Sequence, residues 1–167
     1  GNLSGTTTTA QTFTGSITRY TDGVGNIAWI EVYTIIGTTA TTVTMSYTNT
    51  ANTSGRTSPA VVIGGTGFRE VTRCLFLPLQ SGDTGIKSVE NIDLVGTTGT
   101  AGAIGVTIAH PIAYMGLGGP GSPGWRDFAT GLPGIPDIEA GACLSLLWAG
   151  NSTTAPEVLG GISMVEA

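Results

Sequence analysis

The chain has 167 residues and a formal net charge of −5, and only 10% of its residues are charged whereas 40% are hydrophobic. This length is enough for one domain with a buried core, and the apolar content argues against wholesale disorder. The six Lys and Arg residues form no cluster, which argues against nucleic acids and anionic membranes as partners because both are bound by grouped cations. We therefore expect neither kind of partner.

The scarcity of charge predicts an assembled protein. Charged residues at 10% fall far below the usual quarter of a soluble domain. Covering the surface with partner chains would explain this, because the cores of protein interfaces are depleted in charge. The alternative is a secreted or heat-stable β-domain with a surface of Thr, Ser, Asn and Gly. We expect a homo-oligomer.

The first half of the chain reads as β-structure. Residues 1–12 are expected to form an extended N-terminal arm. The sequence IAWIEVYTII at 27–36 predicts a strand whose two faces are both apolar, and therefore covered on both sides. Residues 37–39 are expected to form a hairpin turn into a strand at 41–48, because TTVTMSYT alternates apolar and polar residues. Its core-facing residues would be Val43, Met45 and Tyr47.

The middle of the chain continues this pattern. A short strand at 60–63 is ended by Gly64-Gly65-Thr66-Gly67, which we interpret as a turn because it lacks the residues of a phosphate-binding loop. The next strand is expected at 71–79, with Leu75, Leu77 and Leu79 on one face. The segment 86–95 has the apolar spacing of a short helix, but the surrounding turns favour a strand. A further strand is predicted at 103–109.

The last third differs in composition. Residues 115–134 contain three prolines among many glycines, so regular structure is not expected there. Loops of this length in compact domains are usually functional or disordered. Strands are predicted at 142–149 and 158–165. About eight short strands without an amphipathic helix predict a single all-β domain over 1–167, a β-sandwich of jelly-roll-like type with one long Gly/Pro-rich loop.

Two cysteines, Cys74 and Cys143, lie in separate predicted strands. A disulfide between them is possible in principle, but sequence cannot test its geometry. No signal peptide is visible in the first residues, GNLSGTTTTAQ. We therefore expect two free thiols buried in the core.

The residue types that carry catalysis or bind metals are sparse. The single histidine, His110, precedes Pro111 and is expected to be a hydrogen-bonded residue at a strand end. Asp83, Glu90 and Asp93 do not have the spacing of an EF-hand calcium loop, so we interpret them as solvated turn acids. We predict no catalytic residue, no cofactor and no metal, and hence no enzyme.

The segment 77–111 contains a recognisable series of short motifs. Its recognisable parts are LQSGDTG at 79–85 with Val89 following, GTAG at 99–102, and the strand that runs into His110-Pro111. This segment resembles one found in virion structural proteins of tailed bacteriophages. The resemblance implies a head decoration (cement) protein, β-rich and oligomeric with a trimer favoured. Such a protein would be made in the host cytoplasm and would bind the major capsid protein on the capsid surface.

The candidate protein-contact residues are Trp125, Phe128 and Leu132, which lie in the long loop. Aromatic anchors dominate interface energetics, so these side chains would bind a partner, or else fold back onto the protein's own core. Two other function classes stay open. One is a carbohydrate- or surface-binding module such as a tail or fibre component, which needs exposed aromatic residues on one sheet face. The other is a small hydrolase, which needs acids converging in a pocket.

Overall fold

The computed structural model describes residues 3–13, 16–116, 124 and 138–147. These residues form eight β-strands and no helix, so the predicted all-β class is confirmed. The strands in chain order are β1 Gln11–Thr12, β2 Ile27–Thr34, β3 Thr41–Asn49, β4 Arg56–Thr57, β5 Val61–Ile63, β6 Cys74–Leu77, β7 Ile86–Leu94 and β8 Ala103–Ala109.

The strands form two antiparallel sheets. The larger sheet has the order β1-β7-β3-β4, with β5 also paired to β3, and the smaller has the order β6-β2-β8. A single hydrophobic core takes residues from both sheets, among them Met45 of the larger and Ile30 of the smaller, both fully buried. Val43 and Tyr47 lie in the same core, as the alternation of 41–48 predicted. Jelly-roll connectivity remains a prediction.

The segment 86–94 explains how a strand can imitate helical spacing. Its residues Ile86, Val89 and Ile92 all point into the core although they are three apart. The pairing with β3 skips one residue between Val89 and Asn91 and another between Ile86 and Ser88. Each β-bulge inserts one extra residue, which changes an apolar spacing of two into three. The choice of strand over helix is confirmed.

The connection at 37–39 is not a hairpin turn, and this prediction is wrong. β2 and β3 lie in different sheets, so the chain crosses from one sheet to the other here. Gly37 N–H donates to Thr98 Oγ1 at 3.1 Å, and Thr39 N–H donates to the Thr98 carbonyl at 3.0 Å. A Cβ on residue 37 would lie 1.7 Å from that carbonyl oxygen. The close approach of two backbones requires glycine here.

The strand predicted at 71–79 is shorter in the structure. Thr72 has a φ of 69°, a left-handed conformation that interrupts a strand before β6 begins. Pro78 lies directly after β6, as expected for a residue that cannot donate to a ladder. Leu75, Leu77 and Leu79 lie on one face, as predicted, and all three pack on the core.

The strand predicted at 142–149 is wrong over its described part. Residues 142–147 have no strand partner among the described residues, and Leu144 and Leu146 are exposed. Cys74 and Cys143 are both free thiols, but their predicted core burial is wrong, since Cys74 is half-buried and Cys143 exposed. The strand predicted at 158–165 lies outside the described residues, as does most of the loop 115–134.

The N-terminal segment lies against both sheets over its described residues. Leu3 is buried and exchanges two backbone hydrogen bonds with Ile104, of 2.8 and 2.9 Å. β1 pairs with β7 of the larger sheet. The segment expected to be an extended arm therefore contributes to the sandwich itself.

Candidate contact face on the three-stranded sheet

The outer face of the three-stranded sheet is the candidate functional site. Along its central strand β2, the even-numbered residues 28, 30 and 32 are buried in the core. Successive side chains in a strand point to opposite faces, so Trp29, Glu31 and Tyr33 lie on the outer face. We call this surface, completed by Cys74 and Phe76 of β6 and Gly105 and Thr107 of β8, the contact face.

Two aromatic rings on the contact face pack against each other. Trp29 and Phe76 are direct neighbours in the register of β2 and β6. Their rings meet edge to face with centroids 6.0 Å apart and an interplanar angle of 65°, an arrangement that aromatic pairs favour. Trp29 is buried, whereas Phe76 is 44% exposed. The pair presents one aromatic ring to solvent, held in place by the other.

Tyr33 covers the glycine of the neighbouring strand. A Cβ on Gly105 would lie 2.5 to 2.8 Å from atoms of the Tyr33 phenol ring. The ring therefore occupies the space that a side chain at position 105 would fill. Tyr33 is 47% exposed, and the nearby Ile35 and Val71 are 43% and 48% exposed. The apolar surface thus extends beyond the aromatic pair.

A carboxylate lies within this apolar surface. Glu31 Oε1 accepts a hydrogen bond of 2.7 Å from the Trp29 indole N–H. In the register of the sheet Glu31 lies between Cys74 and Gly105. Beside it is a shallow cleft of about 380 Å³ lined by Glu31, Val32, Tyr33, Val71, Thr72 and Cys74.

Burial and the Glu31 carboxylate control the ionisation of two neighbours. Burial is the largest cause that raises the pKa of the Tyr33 phenol, and the negative charge of Glu31 is the second. The same two causes in the same order raise the pKa of the Cys74 thiol. A thiol is nucleophilic only as the thiolate, so Cys74 is protonated at neutral pH and behaves as an apolar group. The face is suited to contact, with one carboxylate and one phenol available to orient a partner.

The candidate contact residues Trp125, Phe128 and Leu132 lie outside the described residues. The sequence analysis proposed contact residues in that loop, and it did not single out Tyr33 and Phe76 as exposed side chains. The sequence does contain a signal for an apolar outer face, which is the second apolar set of residues in 27–36, but this set predicts a face that is covered. In the structure that face is buried at Trp29 but open at Tyr33.

Asp83 is not a solvated turn acid, and this prediction is wrong. Its carboxylate accepts hydrogen bonds from Tyr47 Oη at 2.5 Å, Asn49 Nδ2 at 2.7 Å and Arg56 Nε at 2.9 Å. Its side chain is only 5% exposed. The Asp83 pKa is lowered to about 2, and the largest cause is the hydrogen bond from Tyr47, followed by the one from Arg56. The acid ties β3 and β4 to the turn before β7.

Glu90 and Asp93 do not join Asp83 in a cation site. Glu90 Oε1 accepts from Thr48 Oγ1 at 2.6 Å and from Ser88 Oγ at 2.9 Å. Its Oε2 is buried and bonded to no residue that the structure describes. Asp93 is exposed. Within the described ranges, no three His, Cys, Asp or Glu side chains are grouped to hold a metal.

His110 is a hydrogen-bonded residue directly after β8, as predicted. Its ring stacks on Tyr20 with centroids 4.1 Å apart, and its Nδ1 lies 3.0 Å from Asn26 Oδ1. The Asn26 amide nitrogen donates to the carbonyls of Tyr20 and Ile86, which fixes the orientation of the amide. The Asn26 oxygen therefore accepts from His110, and Nδ1 carries the proton.

Comparison with family models, with curated proteins and with solved structures found no match to this chain. In the part of the chain that the structure describes, no helix has the length and hydropathy of a membrane span. The candidate site therefore rests on its own geometry.

Proposed function

We propose that this chain is a non-enzymatic structural protein of a tailed-phage virion, a head decoration protein that stabilises the capsid through protein contacts. The observation that carries the proposal is the contact face, where Tyr33 and Phe76 are each nearly half exposed on the three-stranded sheet. Aromatic residues are enriched in interface cores and supply most of their binding energy. The virion location comes from the resemblance of the segment 77–111.

The chemistry of the polar groups supports a structural role. The Asp83 carboxylate is engaged by three side chains that join separate segments of the sandwich. The Cys74 thiol has a raised pKa and is therefore a poor nucleophile. The partners that follow from the proposal are further copies of the chain and the major capsid protein, on the capsid surface.

The test is binding to phage heads that were assembled without this protein. Purified wild-type chain should co-sediment with such heads and raise their resistance to heat. Phe76→Asp should abolish binding because it places a charge within the contact face. Val62→Asp is the matched control, since Val62 is 58% exposed on β5 of the other sheet. Failure of the wild-type chain to bind heads would refute the virion role, and equal binding by both variants would refute the contact face.

A carbohydrate-binding module is the second candidate, because the contact face places a carboxylate beside an exposed phenol ring. Stacking on an aromatic ring and hydrogen bonds from a few polar groups are typical of small-molecule sites. This candidate predicts binding to soluble oligosaccharides that is lost in Tyr33→Ala. Oligosaccharide binding without any binding to heads would favour it over the decoration protein.

A further inference from the structure

The segment 142–147 is largely apolar and exposed, and it is not paired with any described strand. Its sequence, ACLSLL, predicts a strand. In the structure Leu144, Leu146 and Leu147 are 44%, 74% and 39% exposed. The Ala142 N–H donates to the Glu139 carbonyl at 3.0 Å, and no other backbone hydrogen bond of this segment joins it to the described residues. A sequence typical of an apolar strand is thus exposed and joins neither sheet of the described residues.

The start of this segment is held in place. Glu139 Oε1 accepts the Tyr20 N–H at 2.7 Å, and the Glu139 N–H donates to the Tyr20 hydroxyl at 3.3 Å. Tyr20 in turn stacks on His110, which follows β8. The sandwich therefore fixes the point from which residues 142–147 leave its surface.

The same chain has an open sheet edge at β8. Among the described strands, β8 is the edge of the smaller sheet opposite β6. Leu3 pairs with Ile104 on that edge, so by the two-residue period of a strand the backbone groups of Val106 and Ile108 point the same way. No backbone hydrogen bond from the described part of the chain reaches these two residues on that side.

β8 is also the most suitable edge for another strand. It has seven residues, whereas the edge strand β6 has four and β1, β4 and β5 have two, two and three. Val106 and Ile108 pack on the core but are only partly buried. An added strand would supply backbone partners to their edge groups and apolar cover to their side chains.

We propose that residues 142–147 of one copy add as a strand to the β8 edge of a second copy. An unpaired edge readily templates pairing with another chain. Leu144 and Leu146 are two apart, so they would lie together on the core side beside Val106 and Ile108, with Cys143 and Ser145 on the outer side. The inference gives a structural basis for the self-assembly contained in the proposed function, and it does not depend on a virion location.

The first test is the molar mass of the purified chain by light scattering. The wild-type chain should have at least twice the 16.8 kDa mass of a single chain. Leu144→Asp/Leu146→Asp should be a folded monomer, because both leucines are exposed in the single chain and the fold does not need them. Ser145→Asp is the matched control on the other side of the strand and should assemble as the wild type does.

The outcomes of this test distinguish failure of the proposed self-assembly from failure of strand addition alone. A monomeric wild-type chain would refute both the strand addition and the proposed self-assembly. An oligomeric wild-type chain whose double-aspartate variant keeps the same mass would refute strand addition alone. A melting curve for each variant establishes that loss of assembly is not loss of folding.

The second test distinguishes a neighbouring copy from the chain's own edge. Both native cysteines are replaced by serine, and two differently tagged chains are co-expressed, one with Ile108→Cys and the other with Leu144→Cys. A short thiol cross-linker should join the two tags. A third variant carries both Ile108→Cys and Leu144→Cys in one chain. The proposal would be overturned if this variant cross-links within a single chain while the two tagged chains give no product that joins them.

Discussion

At the scale of single residues, Asp83 is the side chain whose role changes most between sequence and structure. It lies in the sequence QSGDTG, which is typical of an exposed turn. In the fold its carboxylate accepts hydrogen bonds from Tyr47 and Asn49 of β3 and from Arg56 of β4. A buried acid with this many donors joins elements that are far apart in sequence.

We expect the stability of the protein to fall as the pH is lowered through the acid range. The Asp83 pKa is lowered from 3.8 to about 2 by hydrogen bonds from Tyr47 and then Arg56. A carboxyl with a depressed folded pKa contributes stability that is fully present above its unfolded pKa and is lost as the pH falls toward its folded pKa. The contribution of Asp83 should therefore be complete above about pH 4 and disappear toward pH 2.

Urea unfolding between pH 2 and pH 5 measures this dependence. Asp83→Asn should be less stable than the wild type at neutral pH and should show a flatter pH profile in this range. Tyr47→Phe removes the largest cause of the pKa shift and should move the acid transition to higher pH. A wild-type and an Asp83→Asn profile with equal slopes would contradict the assignment.

The two thiols should react at very different rates. Cys143 is exposed, whereas Cys74 is half-buried and has a pKa raised by burial and by Glu31. Because thiolate is the reactive form, a chromogenic disulfide reagent should modify Cys143 rapidly and Cys74 slowly in the native protein. Cys143→Ser should remove the fast phase only. Two equally slow thiols would contradict the exposure of residue 143.

At the scale of elements, β2 shows why alternation alone does not determine which faces are covered. Both of its side-chain sets are apolar, and one packs in the core while the other is buried at Trp29 and exposed at Tyr33. The difference depends on what lies above each residue of the sheet. Similarly, residues 37–39 have the composition of a tight turn, but the strand after them belongs to the other sheet.

Two glycines in these elements should differ sharply in their tolerance of a side chain. A Cβ at Gly37 would lie 1.7 Å from the Thr98 carbonyl oxygen, whereas the three atoms nearest to a Cβ at Gly105 all belong to the Tyr33 side chain. Backbone has little freedom to move, so Gly37→Ala should cost about 3 kcal/mol or more of unfolding free energy. A partly exposed ring can turn aside, so Gly105→Ala should cost about 1 kcal/mol or less.

Thermal or urea unfolding of both variants measures this difference. Gly105→Ala should also weaken binding to heads, because it displaces Tyr33 within the contact face. Similar stability losses for the two glycine variants would contradict the crossover geometry at residues 37–39.

At the scale of the whole molecule, the low charge and the exposed apolar surfaces lead to one expectation about assembly. Salt screens the interaction of exposed charges but has little effect on apolar burial. An oligomer formed by Leu144, Leu146 and the β8 edge should therefore keep its molar mass from about 0.1 M to about 1 M salt. Light scattering across that range checks it, and dissociation at high salt would indicate an interface held by ion pairs instead.

The sequence determined the all-β class and most of the strands. Alternation with a period of two predicted β3, and the strand at 103–109 was also predicted at its observed bounds. The residues of β3 that face the core could be named. These features are local, since strand preference and side-chain alternation depend on neighbouring residues. The two extra residues of β7 were not predictable, because a bulge is a property of the pairing with β3.

Only the tertiary structure decided how the strands are divided between two sheets, and hence where the site lies. The crossing at residues 37–39, the donors around Asp83 and the exposure of Tyr33 all depend on residues distant in sequence. The segment 142–147 illustrates the same limit, because its sequence has the pattern of a strand but a strand forms only where an edge is available to pair with it. Composition fixes what a segment can form, and the arrangement of its neighbours decides whether it does.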